Sequence, residues 1–431
     1  MKIKISSVLK TIIITILYIL IFNVEINEYT NTVNAILTLI VSGILVYKTR
    51  LNPLLVIVSI FIFYSNYSIV IGEYIVGGDL SVYYTEVKNT YYYGMAIKML
   101  LMFMSTVTIF YNGKKLDSKE YKLKTKDNII IYFAIMIMLL YILVFEVDRG
   151  NMDSYSVRIS TLYAYSPILL LFLYYFSGGN KTRINIFVLI SALFIIQDIY
   201  YGGRITSLQI IISIAITLFV DNIQFGKMIR LACIGIVANS LVAAYRRSYT
   251  LDGINIFEII SNLIEGYFVF DTPVGAYYAS ATHIAAAESI GWDIRIESFL
   301  SFLKSIALGS KDIISNVTIF VSDNYYLNGG GGVLPSHFYF WLGWSGVILI
   351  SIIVVLLFNK IGECRSDISK LIILSIISRS PSWYLYTPTN LFRSAIFMTM
   401  IMYFVFIVLN RLSLNIGRKN IEIKKYKYGD I

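Results

Sequence analysis

The residues in this sequence with an evident capacity for chemistry are arginines in unusual places. Most positive charge sits in a few lysine-rich breaks, but Arg149, Arg158, Arg204, Arg246, Arg247, Arg295, Arg379 and Arg393 lie apart from them, on the side that the charge pattern of the chain reads as external. Guanidinium forks match phosphate oxygens bidentately and keep their charge when partly desolvated, so a convergent set suits a pyrophosphate group. Arg379 stands about ten residues into its apolar segment, near mid-depth at 1.5 Å per residue, and Pro381 breaks the helix two positions on. Arg393 enters the last apolar segment, and Arg204 follows Gly202-Gly203 at the mouth of another. The expected phosphate-binding set is Arg204, Arg246, Arg247, Arg379 and Arg393, with Arg158 a further substrate-binding candidate. The competing expectation is that each arginine snorkels, or pairs with an acid such as Asp198, Asp252 or Asp271.

The two histidines, His283 and His337, add acid–base capacity. His337 is the leading candidate for a general base or for positioning an acceptor hydroxyl, and His283 is a second substrate-binding candidate. Glu265, Asp271, Glu288 or Asp323 would serve as base if burial raised its pKa. A packed, hydrogen-bonded histidine at a helix end is the plainer alternative for either. No His/Asp/Glu cluster has metal-ligand spacing; Asp293, Glu297, Asp312 and Asp323 are too dispersed to predict a metal site. There is no phosphate-binding loop of the Walker type, no Ser-x-x-Lys and no dinucleotide fingerprint, so no cofactor is expected.

These side chains need a frame, and the composition says what kind. The 431 residues are 57% hydrophobic and only 14% charged, with a mean hydropathy of +0.71; soluble domains carry about 25% charged residues. Apolar runs of roughly 17 to 25 residues with short polar breaks indicate one all-α, polytopic helical membrane domain over residues 1–431 and exclude a β-barrel. Candidate spans cover 8–24, 30–47, 53–76, 92–111, 128–147, 160–176, 184–200, 205–220, 227–244, 335–358, 369–386 and 391–409, about twelve in all. The net charge of +10 resides in short loops and the C-terminal tail, which fits topology rather than nucleic-acid binding. Breaks holding Lys48 and Arg50, Lys114 to Lys126, Lys181 and Arg183, Lys227 and Arg230, and Lys360 and Arg365 alternate with breaks holding Glu25 and Glu28, Asp79 and Glu86, and Asp148 and Asp153. The alternation predicts cytoplasmic termini and an external face for the one long polar-rich stretch, residues 245–335, between spans nine and ten. The basic start is read as a retained first span.

Within that stretch, apolar residues from Ile254 to Phe268 recur at helical spacing opposite Glu258, Ser261, Asn262 and Glu265, predicting an interfacial amphipathic helix. The small residues between Val274 and Ile290 suit a closely packed helix, and Ser298 to Leu308 a third. Asn324 to Gly332 must be loop, since four glycines do not hold a helix cheaply.

The layout of many spans, one dominant late external loop, Gly202-Gly-Arg204 and Gly329-Gly-Gly-Gly-Val-Leu-Pro-Ser-His337 followed by Phe340-Trp-Leu-Gly-Trp-Ser-Gly346 resembles the Wzy-type oligosaccharide repeat unit polymerases. The Arg379-Ser-Pro381 to Arg393 region is similar to that family's terminal arginine-bearing segment. The resemblance covers the whole architecture through short, degenerate motifs, and His337 stands where acidic residues often occur in the family. It implies a membrane glycosyltransferase of the bacterial inner membrane. The enzyme would join polyprenyl-pyrophosphate-linked oligosaccharides into O-antigen or capsule on the external face, working within the lipid bilayer beside a flippase and a chain-length regulator. It also implies that the arginines stabilise the departing pyrophosphate. Independently of the resemblance, an interfacial belt accounts for most of the external aromatics, such as Tyr91, Tyr92, Tyr93, Tyr277 and Tyr278, and a remainder stacking on sugar rings is compatible with a saccharide groove.

Other classes remain open. A lipid-linked oligosaccharide flippase or transporter also has about twelve spans but lines a central cavity with charge, and the halves here show no matching repeat. A polysaccharide ligase is the nearer enzymatic rival; a membrane O-acyltransferase would need a better-placed His-Asp pair.

Overall fold

The computed structural model describes residues 5–76, 90–113, 115–116, 121–146, 161–201, 203–248, 255–309, 312–361, 363 and 365–411. Arg149, Arg158 and Asp252, and the basic tail beyond Arg411, lie outside the described residues. Among the described residues the chain is all-helical, without strands. In order the helices are α1 (Ile5–Asn23), α2 (Glu28–Thr49), α3 (Pro53–Ile69), α4 (Thr90–Phe110), α5 (Ile129–Phe145), α6 (Thr161–Ala164), α7 (Ser166–Tyr175), α8 (Lys181–Tyr200), α9 (Ile205–Leu218) and α10 (Phe225–Ser248). They continue with α11 (Ile256–Glu265), α12 (Asp271–Ser289), α13 (Trp292–Leu308), α14 (Val317–Asn324), α15 (Leu334–Leu342), α16 (Trp344–Lys360), α17 (Asp367–Ser378), α18 (Ser380–Leu385) and α19 (Asn390–Arg411).

Six of these are long and apolar enough to cross a membrane: α2, α3 with its π-helical continuation to Ile75, α4, α8, α10 to Ala243, and α19. Shorter apolar helices, α1, α5, α7, α9 and α16, accompany them. Three expected spans are broken, the 160–176 stretch first, at Tyr165 between α6 and α7. The 335–358 stretch divides at Gly343 into α15 and α16, and the 369–386 stretch divides at Arg379 into α17 and α18.

The chain forms two compact units. The first comprises Met1–Glu120, Val220–Cys364 and Arg379–Arg393, and the second Tyr121–Phe219, Arg365–Ser378 and Ser394–Ile431. In the first unit α4 is the most enclosed of the long apolar helices, packed by α1, α2, α12, α15 and α16. Where lipid and protein are equally apolar, hydrogen bonds and small residues fix which helices meet. Asn66 of α3 donates to Ser42 of α2 (2.8 Å) and accepts from the Tyr384 hydroxyl of α18 (2.7 Å), which ties the helix following Arg379 to the bundle.

In the second unit α8 and α9 form a hairpin whose turn is closed by the buried Asp198. Its carboxylate accepts from the Ser207 amide (2.8 Å) and hydroxyl (2.6 Å), capping α9, while its carbonyl accepts from the Gly203 amide (2.7 Å). Asp367 joins Lys126 (3.3 Å) and Tyr175 (2.9 Å), and Asp127 joins Arg183 (2.6 Å).

Candidate functional site

The sequence analysis singled out two histidines 54 positions apart, and in the first unit their rings lie 4.8 Å apart, both buried. Helix α12 supplies the floor. Ala276, Ser280 and His283 share one face by i, i+4, i+7 spacing. The Ser280 hydroxyl donates to the Ala276 carbonyl (2.8 Å) and accepts the Val333 amide (2.9 Å), so the end of the glycine run is fastened to α12.

The rest of the run is held as firmly. Thr318 donates to the Gly331 carbonyl (2.5 Å), and the Gly332 amide donates to the Leu385 carbonyl (3.0 Å). The Gly330 amide donates to the Asn328 side chain (3.1 Å). At Gly332 φ is +145°, and a β-carbon there would fall 2.5 Å from His283 Cε1 and 3.0 Å from His337 Nε2. Only glycine fits between this backbone and the two rings.

Ser336 sets the protonation of the pair. Its hydroxyl proton goes to the Val333 carbonyl (2.8 Å), so its oxygen accepts Nδ1–H of His283 (3.0 Å). His283 is then the Nδ1–H tautomer, and its buried Nε2 keeps a lone pair that no described residue meets. Burial first, and His337 second, hold the His283 pKa well below its ordinary value, so the imidazole is neutral. The His337 nitrogens face the backbone of Gly332 and Tyr386 without closing a hydrogen bond of good geometry.

The arginine-bearing segment starts next to this floor, because α18 ends at Leu385, against the glycine run. Arg379 is buried at the N-cap of α18 and donates from Nη2 to Asn390 Oδ1 (3.1 Å). Asn390 opens the π-helical first part of α19, Asn390–Met398, which carries Arg393. Arg393 is half-buried, and its Nη1 makes one long bond, to the Ser305 carbonyl of α13 (3.4 Å). The guanidinium lies so close to Gly309 that a β-carbon there would be 2.7 Å from Nη1 and Nη2. Among the described residues no carboxylate pairs with Arg393, and its Nε has no partner.

The other described arginines of the candidate set are carried elsewhere in the chain. Arg295 is a structural clamp: it donates to the Phe340 (2.5 Å), Tyr339 (2.9 Å) and Ala287 (3.2 Å) carbonyls and stacks on Trp292 at 3.9 Å. It thereby bonds carbonyls at the C-terminal ends of α12 and α15, that of Tyr339 also accepting the Gly343 amide. Arg204 occupies the N-cap position of α9 in the second unit and is half-buried. Arg246 and Arg247 lie in the last turn of α10. Asp198, expected as a possible arginine partner, has its Oδ2 committed to capping α9.

Sequence reasoning did not find Ser280, Thr318, Ser336 or Asn390. The first two lie on helices whose serines and threonines look like packing residues. Ser336 sits beside His337, and Asn390 three positions before Arg393, and that proximity was the available signal. No protein-family model, curated protein or solved structure matches the chain.

Proposed function

We propose that this protein is a membrane glycosyltransferase of the oligosaccharide repeat unit polymerase class, joining polyprenyl-pyrophosphate-linked units into a surface polysaccharide at the external face of a bacterial inner membrane. The observation that carries the reading is Arg393, a half-buried guanidinium in an apolar helix with no carboxylate among the described residues. An uncompensated charge in such surroundings is costly, and an anion at the lipid surface would relieve it. A diphosphate headgroup has the matching geometry. Arg379, linked to the same segment through Asn390, supplies the second cation. The similarity of layout and motifs to the Wzy-type polymerases adds to the reading.

In the reaction an acceptor sugar hydroxyl attacks the anomeric carbon of the growing chain. A carbon–oxygen glycosidic bond forms, the anomeric carbon–phosphate oxygen bond breaks, and the polyprenyl diphosphate leaves with the electron pair. Arg379 and Arg393 stabilise the developing charge on that diphosphate. The hydroxyl proton is assigned to the His283–His337 pair, which the glycine run covers, so that run must lift for the transfer.

The experiment is polymerisation from purified lipid-linked repeat units by the reconstituted protein. Arg393→Ala and Arg379→Lys are expected to leave single units on lipid while melting like the wild type, Arg393→Lys keeping a fraction of the activity. Wild-type polymer length from Arg393→Ala would sink the reading.

A further inference from the structure

A second constellation stands on the other side of α12, and the polymerase chemistry above does not use it. The π-helical turn Val70–Ile75 at the end of α3 carries Glu73, a carboxylate in an otherwise apolar candidate span. π-Helical turns and ionisable groups in apolar spans both concentrate at functional sites. The Tyr278 hydroxyl of α12 donates to Glu73, and the Tyr278 ring stacks on Tyr93 of α4 with centroids 5.3 Å apart. Tyr74 and Tyr277 are hydrogen-bonded to each other, and the Tyr277 hydroxyl donates to the Tyr93 carbonyl (2.6 Å). At the N-terminal end of α4 and the C-terminal end of α12 a tyrosine again meets a carboxylate, now in the open: Tyr91, 43% exposed, donates to the exposed Glu288 at 3.2 Å, with Tyr92 edge-on to Tyr91 at 5.2 Å. The second Glu288 oxygen carries no hydrogen bond among the described residues.

We infer that Tyr91, Tyr92 and Glu288, backed by the Tyr93–Tyr278–Glu73 layer, form a saccharide-binding subsite that holds the sugar part of the substrate away from its diphosphate. The ligand class follows from the chemistry. A carboxylate accepts from sugar hydroxyls through charge-assisted bonds, and tyrosine faces cover the apolar faces of sugar rings. Glu288 disfavours a phosphate at this rim, and the Arg295 guanidinium nearby is committed to three backbone carbonyls. An interfacial tyrosine belt would present its hydroxyls to water. In contrast, Tyr93, Tyr277 and Tyr278 are buried, and the last two point their hydroxyls at a carbonyl and a carboxylate. Tyr91 and Tyr92 share α4 with Tyr93, and Glu288 shares α12 with Tyr278, so the buried layer holds together the two helices that carry the outer residues and lowers the ordering cost of binding.

The subsite rests on the polymerase reading for the identity of its sugar and is tested without the reaction. The probe is the repeat-unit oligosaccharide freed from its lipid diphosphate by mild acid, titrated calorimetrically into detergent-solubilised protein. Binding by the wild type is expected, with Tyr91→Ala and Glu288→Gln each weakening it at least about tenfold, the worth of one charge-assisted hydrogen bond. Tyr91→Phe, which keeps the ring, should lose less, and Arg393→Ala should bind normally. No wild-type binding, or wild-type affinity in both Tyr91→Ala and Glu288→Gln, overturns the subsite. A wild type that binds the free oligosaccharide but makes no polymer from lipid-linked units would instead remove the polymerase reading and leave the subsite standing.

Discussion

Replacing Gly332 by alanine tests whether the glycine run is shaped by the histidine pair beneath it. The new β-carbon would sit 2.5 Å from His283 Cε1 and 3.0 Å from His337 Nε2, where carbon contacts normally begin near about 3.5 Å. His283 cannot yield without breaking its bond to Ser336, so the overpacking costs about 1 to 3 kcal/mol. The backbone adds to this, because φ of +145° is almost exclusive to glycine and strains an alanine by about 1 to 3 kcal/mol. The combined loss is about 2 to 6 kcal/mol. Gly330→Ala is the control: φ is +86° but nothing lies within 4 Å, so only backbone strain applies. Apparent melting temperature in detergent, followed by tryptophan fluorescence at a fixed scan rate, should fall further for Gly332→Ala than for Gly330→Ala. Combining Gly332→Ala with His283→Ala removes the closer of the two clashes but neither the contact with His337 nor the strain, so the double variant should be less destabilised than the two single losses predict. Equal melting of the two glycine variants, or strict additivity with His283→Ala, would refute the packing.

Two further outcomes follow from buried groups in the same unit. Arg295→Ala should lower stability by about 3 to 5 kcal/mol, since three carbonyls at two helix ends lose a charged donor together, and Arg295→Lys should recover only part because an ammonium lacks the planar fork; unchanged melting of Arg295→Ala would remove the clamp. For His283 the folded pKa is depressed, so the native state binds fewer protons than the unfolded chain once pH falls below the ordinary value of 6.5. Its contribution is complete above that value and is lost as pH drops, so melting temperature should decline from pH 7 to 5 in the wild type and more gently in His283→Gln; an equal decline in both would show that His283 is not the group responsible.

How much of this could be read beforehand depends on whether the partner of a residue is a side chain or the backbone. Apolar runs located the long helices, because they are a property of consecutive residues. Pro381 likewise announced the break that leaves Arg379 at a helix N-cap. The break at Gly343 was hidden, since the apolar residues on either side of it continue without interruption and only the backbone conformation there, φ +62°, marks it. Arg295 looked like a spare cation because its three partners are carbonyls, which no sequence pattern displays. The histidine pair was half legible. Both rings stood out, but their meeting depends on a glycine run folding back over α12, and the hydroxyls that anchor it, from Ser280 and Thr318, resemble ordinary helix residues.

The stretch from Tyr245 to Pro335 read as a cap lying over the membrane, and α12 gives that idea more physical content. Every residue from Pro273 to Ala287 is buried, and the helix packs on α3, α4, α14 and α15. A helix enclosed on all sides is a core element, which explains its small residues better than surface packing does. Its faces divide the labour. Ser280 and His283 hold the glycine run that reaches Leu385, and α18 leads back from there to Arg379. Tyr277 and Tyr278 turn instead to Glu73 and Tyr93. On the proposed reading one rigid helix therefore stands between the cationic segment and the acidic, tyrosine-lined rim. Binding energy gathered by the sugars at that rim can then orient the anomeric carbon, because the element that joins the two regions has no slack to absorb it.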